Sequence, residues 1–160
     1  MRHSTAVDPY GAPTDESRWL TSEGRVRMRN LVPVLGDALG PVSHFFTSPL
    51  VRAVQTADLL AEGLGFPGAV EVHRPLAAEF GTTAQALSVL EDMDPRATVV
   101  LVTHAPKVRV LAGHLSGRPQ MPGFRTASAC AVDIDRQGNG KVAFWLDPEP
   151  ARILSEPPER

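Results

Sequence analysis

The stretch Val42-Ser43-His44-Phe45-Phe46-Thr47-Ser48-Pro49-Leu50-Val51-Arg52 decides the fold. Its first six residues are short, β-branched or aromatic, and Pro41 and Pro49 bound them, which predicts a buried strand. Ser48-Pro49 then reads as an N-cap followed by proline at the first helical position. Leu50, Val54, Ala57, Leu60 and Ala61 continue at helical spacing to about Gly63. A strand that turns tightly into a helix is the building unit of a parallel α/β sheet. One residue does not fit its place. Arg52 falls near the helix start, where the positive end of the helix dipole disfavours a cation. That misfit suggests an anion nearby.

The same alternation extends in both directions. Upstream, Thr21 reads as the N-cap of a helix on Met28, Leu31, Val34, Leu35 and Leu39, stopped by Gly40-Pro41. Arg25, Arg27 and Arg29 lie off its apolar stripe, as a solvated face would. Residues 4–16 hold Pro, Gly, Asp and Thr without apolar period and predict a surface loop. Downstream, Val70 to His73 is a short strand, and Leu76 to Thr83 is irregular and carries Glu79. Thr82 or Thr83 caps a helix that ends at Asp94-Pro95. Ala97 to Thr103 is a continuous apolar run, as in a strand covered on both faces. His104 follows, then a helix to Gly117. Ala129–Asp135 and Lys141–Leu146 flank the turn Gln137-Gly138-Asn139-Gly140 and predict a hairpin.

The expected architecture is therefore α/β: three layers, a mostly parallel central sheet with helices on both faces, and a C-terminal hairpin. Residues 1–147 would form the domain, and 148–160 a proline-rich tail. In such sheets ligands bind at the carboxyl ends of the strands. Three polar sites fall there: His3-Ser4, Thr47-Ser48 with Arg52, and Thr103-His104. They are remote in sequence and meet only if the sheet forms.

Composition limits the function. The chain has 160 residues and a formal net charge of −2, which argues against a nucleic-acid partner held by bulk charge. Cys130 is the single cysteine, so no intramolecular disulfide and no CxxC metal site can form. The five histidines show no metal-ligand spacing. No apolar run is long enough for a bilayer and no signal peptide is visible, so the reading is a cytoplasmic protein without a membrane partner.

Several motifs carry a resemblance. They are Arg2-His3, Leu20-Thr21-x-x-Gly24-Arg25, Ser48-Pro49-Leu50-x-Arg52-Ala53-x-Gln55-Thr56-Ala57, and an apolar strand ending in Thr103-His104. Together they resemble the histidine phosphatase superfamily, with a phosphoglycerate-mutase-like fold. Met121-Pro122-x-Phe124, Thr126-x-Ser128-Ala129 and Trp145 are similar to the SixA-type phosphohistidine phosphatases of that superfamily. The resemblance implies His3 as nucleophile, with Arg2, Arg52 and His104 around the phosphoryl oxygens. Arg18 matches an arginine that also reaches phosphate. It implies no metal and no cofactor, because the arginines supply the positive charge.

The resemblance implies a phosphatase with a phosphohistidine intermediate, acting on a phosphorylated substrate such as a His-phosphorylated phosphotransfer protein. Two other functions stay open: a small-molecule phosphomonoesterase with Glu79 as general acid, and an inactive module that binds phosphorylated ligands. Two departures stand out. Ser4 occupies a position where the family has glycine. In the family a hydrophobic strand also leads into the Arg-His motif, whereas here Met1 alone precedes Arg2. The first strand is thus expected to be truncated, with a reading frame that starts upstream, an open position beside the Thr47 or Thr103 strand, and a poorly anchored His3.

Overall fold

The structure is a computed structural model that describes residues 1–159. Helix α1 (Ser22–Leu39) begins where Thr21 Oγ1 accepts the Gly24 N–H, and it buries Met28, Leu31 and Leu35. Gly40, at φ 65°, ends it. Strand β1 (His44–Thr47) follows, and then α2 (Val51–Gly63). The proline start is displaced from the expected place. Helix α2 opens after Leu50, with no side-chain cap. Ser48 Oγ instead accepts the Leu50 N–H at 3.3 Å and bonds His104.

Strands β2 (Val70–Val72) and β3 (Val99–Val102) flank β1 in parallel, in the order β2-β1-β3. Successive side chains of a strand point to opposite faces, and the packing follows. Phe45, Val100 and Val102 pack with α1 and α2 through Met28, Leu31 and Leu60. Phe46 packs on the other face with Leu76, Ala86 and Leu111, the last two from α3 (Thr83–Leu87) and α4 (Lys107–Ser116). Thr82 and Gln85 form a complete capping box at α3. Among the described residues, no helix is long and apolar enough to cross a membrane.

The hairpin is present as β4 (Ala129–Ile134) and β5 (Gly140–Pro148), and a third strand, β6 (Ala151–Leu154), extends it from within the proline-rich segment. These strands form a separate antiparallel sheet rather than an edge of the parallel one. Residues 1–3 join the two. The Arg2 N–H donates to Ser128 O, the His3 N–H to Thr103 O and the Thr103 N–H to Met1 O, each at 3.0 Å, and the Ala127 N–H donates to His3 O at 3.1 Å. Arg2 thereby pairs in parallel with Thr103.

This corrects the expectation of a poorly anchored His3. The position beside Thr103 is filled at its carboxyl end by the Arg-His segment itself, and His3 is bonded through its main chain on both sides. Below Met1 lies a cavity of about 910 Å³, lined by Leu35, Val99, Leu101, Ala131 and Phe144 among others. The Met1 amine donates to Leu101 O at 2.8 Å at its upper end. By the alternation of a parallel ladder, the remaining main-chain groups of Leu101 and Val99 face this cavity. An apolar stretch such as Val-Val-Leu-Val joined ahead of Met1 is therefore expected to continue the ladder. It should raise the thermal midpoint by roughly 10 °C, from a few net hydrogen bonds of about 1 kcal/mol each. An unchanged midpoint in thermal denaturation would show that the cavity does not accept a strand.

Candidate active site

Three strand ends converge as the topology requires. His3 is buried beside His104, with ring centroids 5.0 Å apart. The Ser4 carbonyl lies 2.7 Å from His3 Nδ1. A carbonyl only accepts, so Nδ1 carries the proton and Nε2 keeps its lone pair. His104 Nε2 is 2.7 Å from Ser48 Oγ, while its Nδ1 is buried with no partner among the described residues. Arg2 Nη1 donates to Phe124 O at 2.7 Å, and Arg2 Nε is likewise buried without a partner. Two buried polar atoms without partners in one place are costly in an apolar interior. They suit a site that is completed by a ligand.

The electrostatics follow from this crowding. Burial holds His3 at about pKa 4; the Ser4 carbonyl opposes the shift, and the charges of Arg52, Arg2 and Arg18 add to it. His104 is held at about 3, by burial and then by His3 and Arg52. Both rings are neutral near pH 7. His104 is therefore a neutral ring in the free protein, because burial and the charges around it disfavour a cation there. Burial also lowers the Arg2 pKa.

Ser4 fits without disturbing the site. Its N–H donates to Thr56 Oγ1 at 3.0 Å and its Oγ donates to Gly24 O at 2.9 Å. The Thr56 hydroxyl in turn donates to Arg52 O at 2.7 Å. The added side chain thus ties the loop to α1, while the main-chain N–H ties it to α2. Gly24 permits this approach, since a Cβ there would overlap the Thr5 carbonyl.

Arg52 is 6% exposed, and the two donors that bind protein both go to Asp15. Arg18 donates through Nε to Val7 O at 2.7 Å and through Nη1 to Asp15 Oδ1 at 2.9 Å. The sequence reading did not single out Asp15. The Asp-x-x-Arg spacing of Asp15 and Arg18 is the signal that it passed over. Lys107 was also missed: its Nζ donates to the carbonyls of Pro75 (2.8 Å), Ala77 (2.5 Å) and Phe80, pinning the loop that carries Glu79. Glu79 itself is exposed and bonds to no described side chain or main-chain group. Arg2, Arg18, Arg52 and His104 are each brought within electrostatic reach of His3, and Glu79 is exposed at the surface. Among the described residues, no group of three or more His, Cys, Asp or Glu side chains could hold a metal ion.

Comparison with known proteins agrees with this geometry. The chain is 28% identical over 150 residues to the phosphohistidine phosphatase SixA of Escherichia coli K12, covering 92% of this chain and 91% of that protein. A solved structure of the protein histidine phosphatase SixA complexed with tungstate superposes with a TM-score of 0.84 at 27% identity, covering 94% of this chain and 96% of that one. A mycobacterial glucosyl-3-phosphoglycerate phosphatase with inorganic phosphate shares the fold, at a TM-score of 0.63 and 18% identity over 98% and 95% of the two chains. The family model described as histidine phosphatase superfamily (branch 1) matches residues 3–83, half of the chain and the half that holds His3, Arg18 and Arg52, and the protein belongs to that superfamily.

Proposed function

We propose that the protein is a phosphohistidine phosphatase that works through a covalent intermediate on His3. The observation that carries this reading is the locked tautomer of His3: Nδ1–H is tied to Ser4 O, and a neutral Nε2 stands among three arginines. A neutral imidazole is the nucleophilic form, and burial keeps it so. In the first step Nε2 bonds to phosphorus and the N–P bond of the substrate imidazole breaks. The substrate ring enters the step protonated on its other nitrogen, so the electron pair returns to the nitrogen that held phosphorus and imidazole leaves neutral. In the second step water attacks phosphorylated His3, inorganic phosphate leaves, and the water proton is lost to solvent.

The phosphoryl oxygens are held by Arg2, Arg52, Arg18 and His104. The partnerless Arg2 Nε and the unused donors of Arg52 offer N–H groups where oxygen charge develops. With the Ser48 hydroxyl donating to His104 Nε2, His104 Nδ1 is a neutral donor to the same oxygens. A neutral imidazole leaves phosphorus more readily than an alkoxide, so the reaction needs no acid at Glu79. The tungstate bound by the SixA relative supports a tetrahedral oxyanion as ligand. The substrate is a His-phosphorylated phosphotransfer protein in the cytoplasm, in keeping with the name of the Escherichia coli relative and the single cysteine.

Rapid quenching with a phosphohistidine substrate is expected to trap phosphate on His3 and to trap none in His3→Ala. Glu79→Gln is expected to keep its rate on that substrate. A large loss of alkyl phosphate hydrolysis in Glu79→Gln would instead favour the phosphomonoesterase reading. Binding of oxyanion without any labelling of His3 would favour an inactive binding module.

The histidines also set the pH behaviour. Each has a folded pKa below its unfolded value of about 6.5, so the unfolded chain binds more protons between the two values. The stability linked to them is fully present above about pH 6.5 and is lost as pH falls toward 4. Urea denaturation across this range is expected to show that decline, and His3→Gln to reduce it. The acid limb of kcat/KM should likewise lie near pH 4; a limb near 6.5 would mean that His3 is not the buried neutral base.

A further inference from the structure

We infer that Asp15 is a positioning residue that aims Arg52 and Arg18 at the phosphoryl group, an inference that rests on the phosphatase reading. Its two carboxylate oxygens are divided between the arginines. Oδ1 accepts from Arg18 Nη1 at 2.9 Å and Oδ2 accepts from Arg52 Nη2 at 3.0 Å. Its main-chain carbonyl accepts from Arg52 Nη1 at 2.7 Å. A planar guanidinium gripped through both terminal nitrogens by one residue has a fixed plane. The other donors of Arg52 bond to no described residue. Asp15 therefore decides which edge of the fork remains for a ligand.

The opposite view is that the Asp15 carboxylate sits where phosphate would bind and must leave. Three observations oppose it. The main-chain carbonyl shares the grip, so releasing Arg52 would require the backbone to move. That backbone is itself fastened: the Val51 N–H donates to Glu16 O at 3.1 Å, and the Arg18 N–H to Asp15 O at 3.3 Å. The atoms that await a partner, Arg2 Nε and His104 Nδ1, are not engaged by Asp15. The carboxylate also stays ionised: the hydrogen bond from Arg18 lowers its pKa most, burial opposes this, and the bond and charge of Arg52 lower it further. A donor set held in place before the ligand arrives pays no reorganisation at the moment of reaction.

The test compares wild type with Asp15→Ala, Asp15→Asn and Asp15→Glu. It measures binding of tungstate and inorganic phosphate by calorimetry, kcat and KM on a phosphohistidine substrate, and thermal midpoint. In Asp15→Ala, oxyanion affinity and kcat/KM are expected to fall roughly ten- to a hundredfold, with a fall in kcat as well as a rise in KM. Asp15→Asn keeps the main-chain grip and should lose less, and Asp15→Glu should recover part of the loss. Tighter oxyanion binding in Asp15→Ala would overturn the inference in favour of an occluding anion. Unchanged kcat/KM in Asp15→Asn and Asp15→Ala with a lower midpoint would reduce Asp15 to a structural role. If wild type itself binds no oxyanion and turns nothing over, the phosphatase reading falls and takes the inference with it. If wild type is active and the variants match it, only the positioning role falls.

Discussion

The structure depends on a seam of main-chain hydrogen bonds only three residues long. Met1, Arg2 and His3 bond to Thr103 on one side and to Ser128 and Ala127 on the other. They are what connects a parallel sheet to an antiparallel one. The same bonds fix His3, the proposed nucleophile. Side-chain and main-chain bonds at Ser4 take over where the seam ends, reaching Thr56 on α2 and Gly24 on α1. A residue held by the sheet on both sides and by two helices just beyond it has little freedom to drift from its partners. Precision of this kind is what an in-line displacement at phosphorus requires.

The second constraint is charge. The seam carries Arg2 to the strand ends, where Arg52, Arg18 and Lys107 also act on the two histidines. Repulsion among these cations would spread them apart unless something opposed it. Asp15 is the carboxylate that bonds two of them directly. The neutrality of His3 and His104 is the other part of the answer: both rings give up their protons rather than add to the positive field. In the proposed reaction a dianionic phosphoryl group would reverse this balance, with the cations as the source of affinity.

Much of this was legible in the sequence, and the failures share a cause. The alternation of Phe45 and Phe46 between two cores follows from strand period, and the convergence of His3, Arg52 and His104 follows from parallel topology. Arg52 at a helix start was a local misfit that pointed to an anion. Ser48 misled because Ser-Pro is a strong local capping signal, whereas its hydroxyl is engaged by His104, a residue far along the chain. Asp15 was hidden for the opposite reason: a Pro-, Gly- and Asp-containing loop has no period, so nothing local says which of its residues faces inward. The anchoring of His3 was misjudged because main-chain pairing needs no side-chain pattern. A short segment with Arg and His at its core shows no strand signature, yet its N–H and C=O groups complete a ladder as well as those of valine would.

The loop from Pro75 to Phe80 bears on the choice of chemistry. Three of its carbonyls are gathered by the Lys107 ammonium at the start of α4, which adds to the short 3-10 turn over Arg74–Leu76. Arg74 lies over the Phe80 ring at 4.2 Å and adds a second fastening. A loop fixed in this way cannot easily swing Glu79 inward to meet a leaving oxygen, and Glu79 remains at the surface. Hydrolysis of an alkyl ester without an acid would have to expel an alkoxide, which no arginine can protonate. A phosphorylated imidazole that already carries a proton on its other nitrogen removes that need, because it departs as a neutral base. The fastening of this loop therefore accords with the proposed N–P substrate: a site rich in cations suits phosphoryl charge, and the proposed leaving group does not need the exposed Glu79 as an acid.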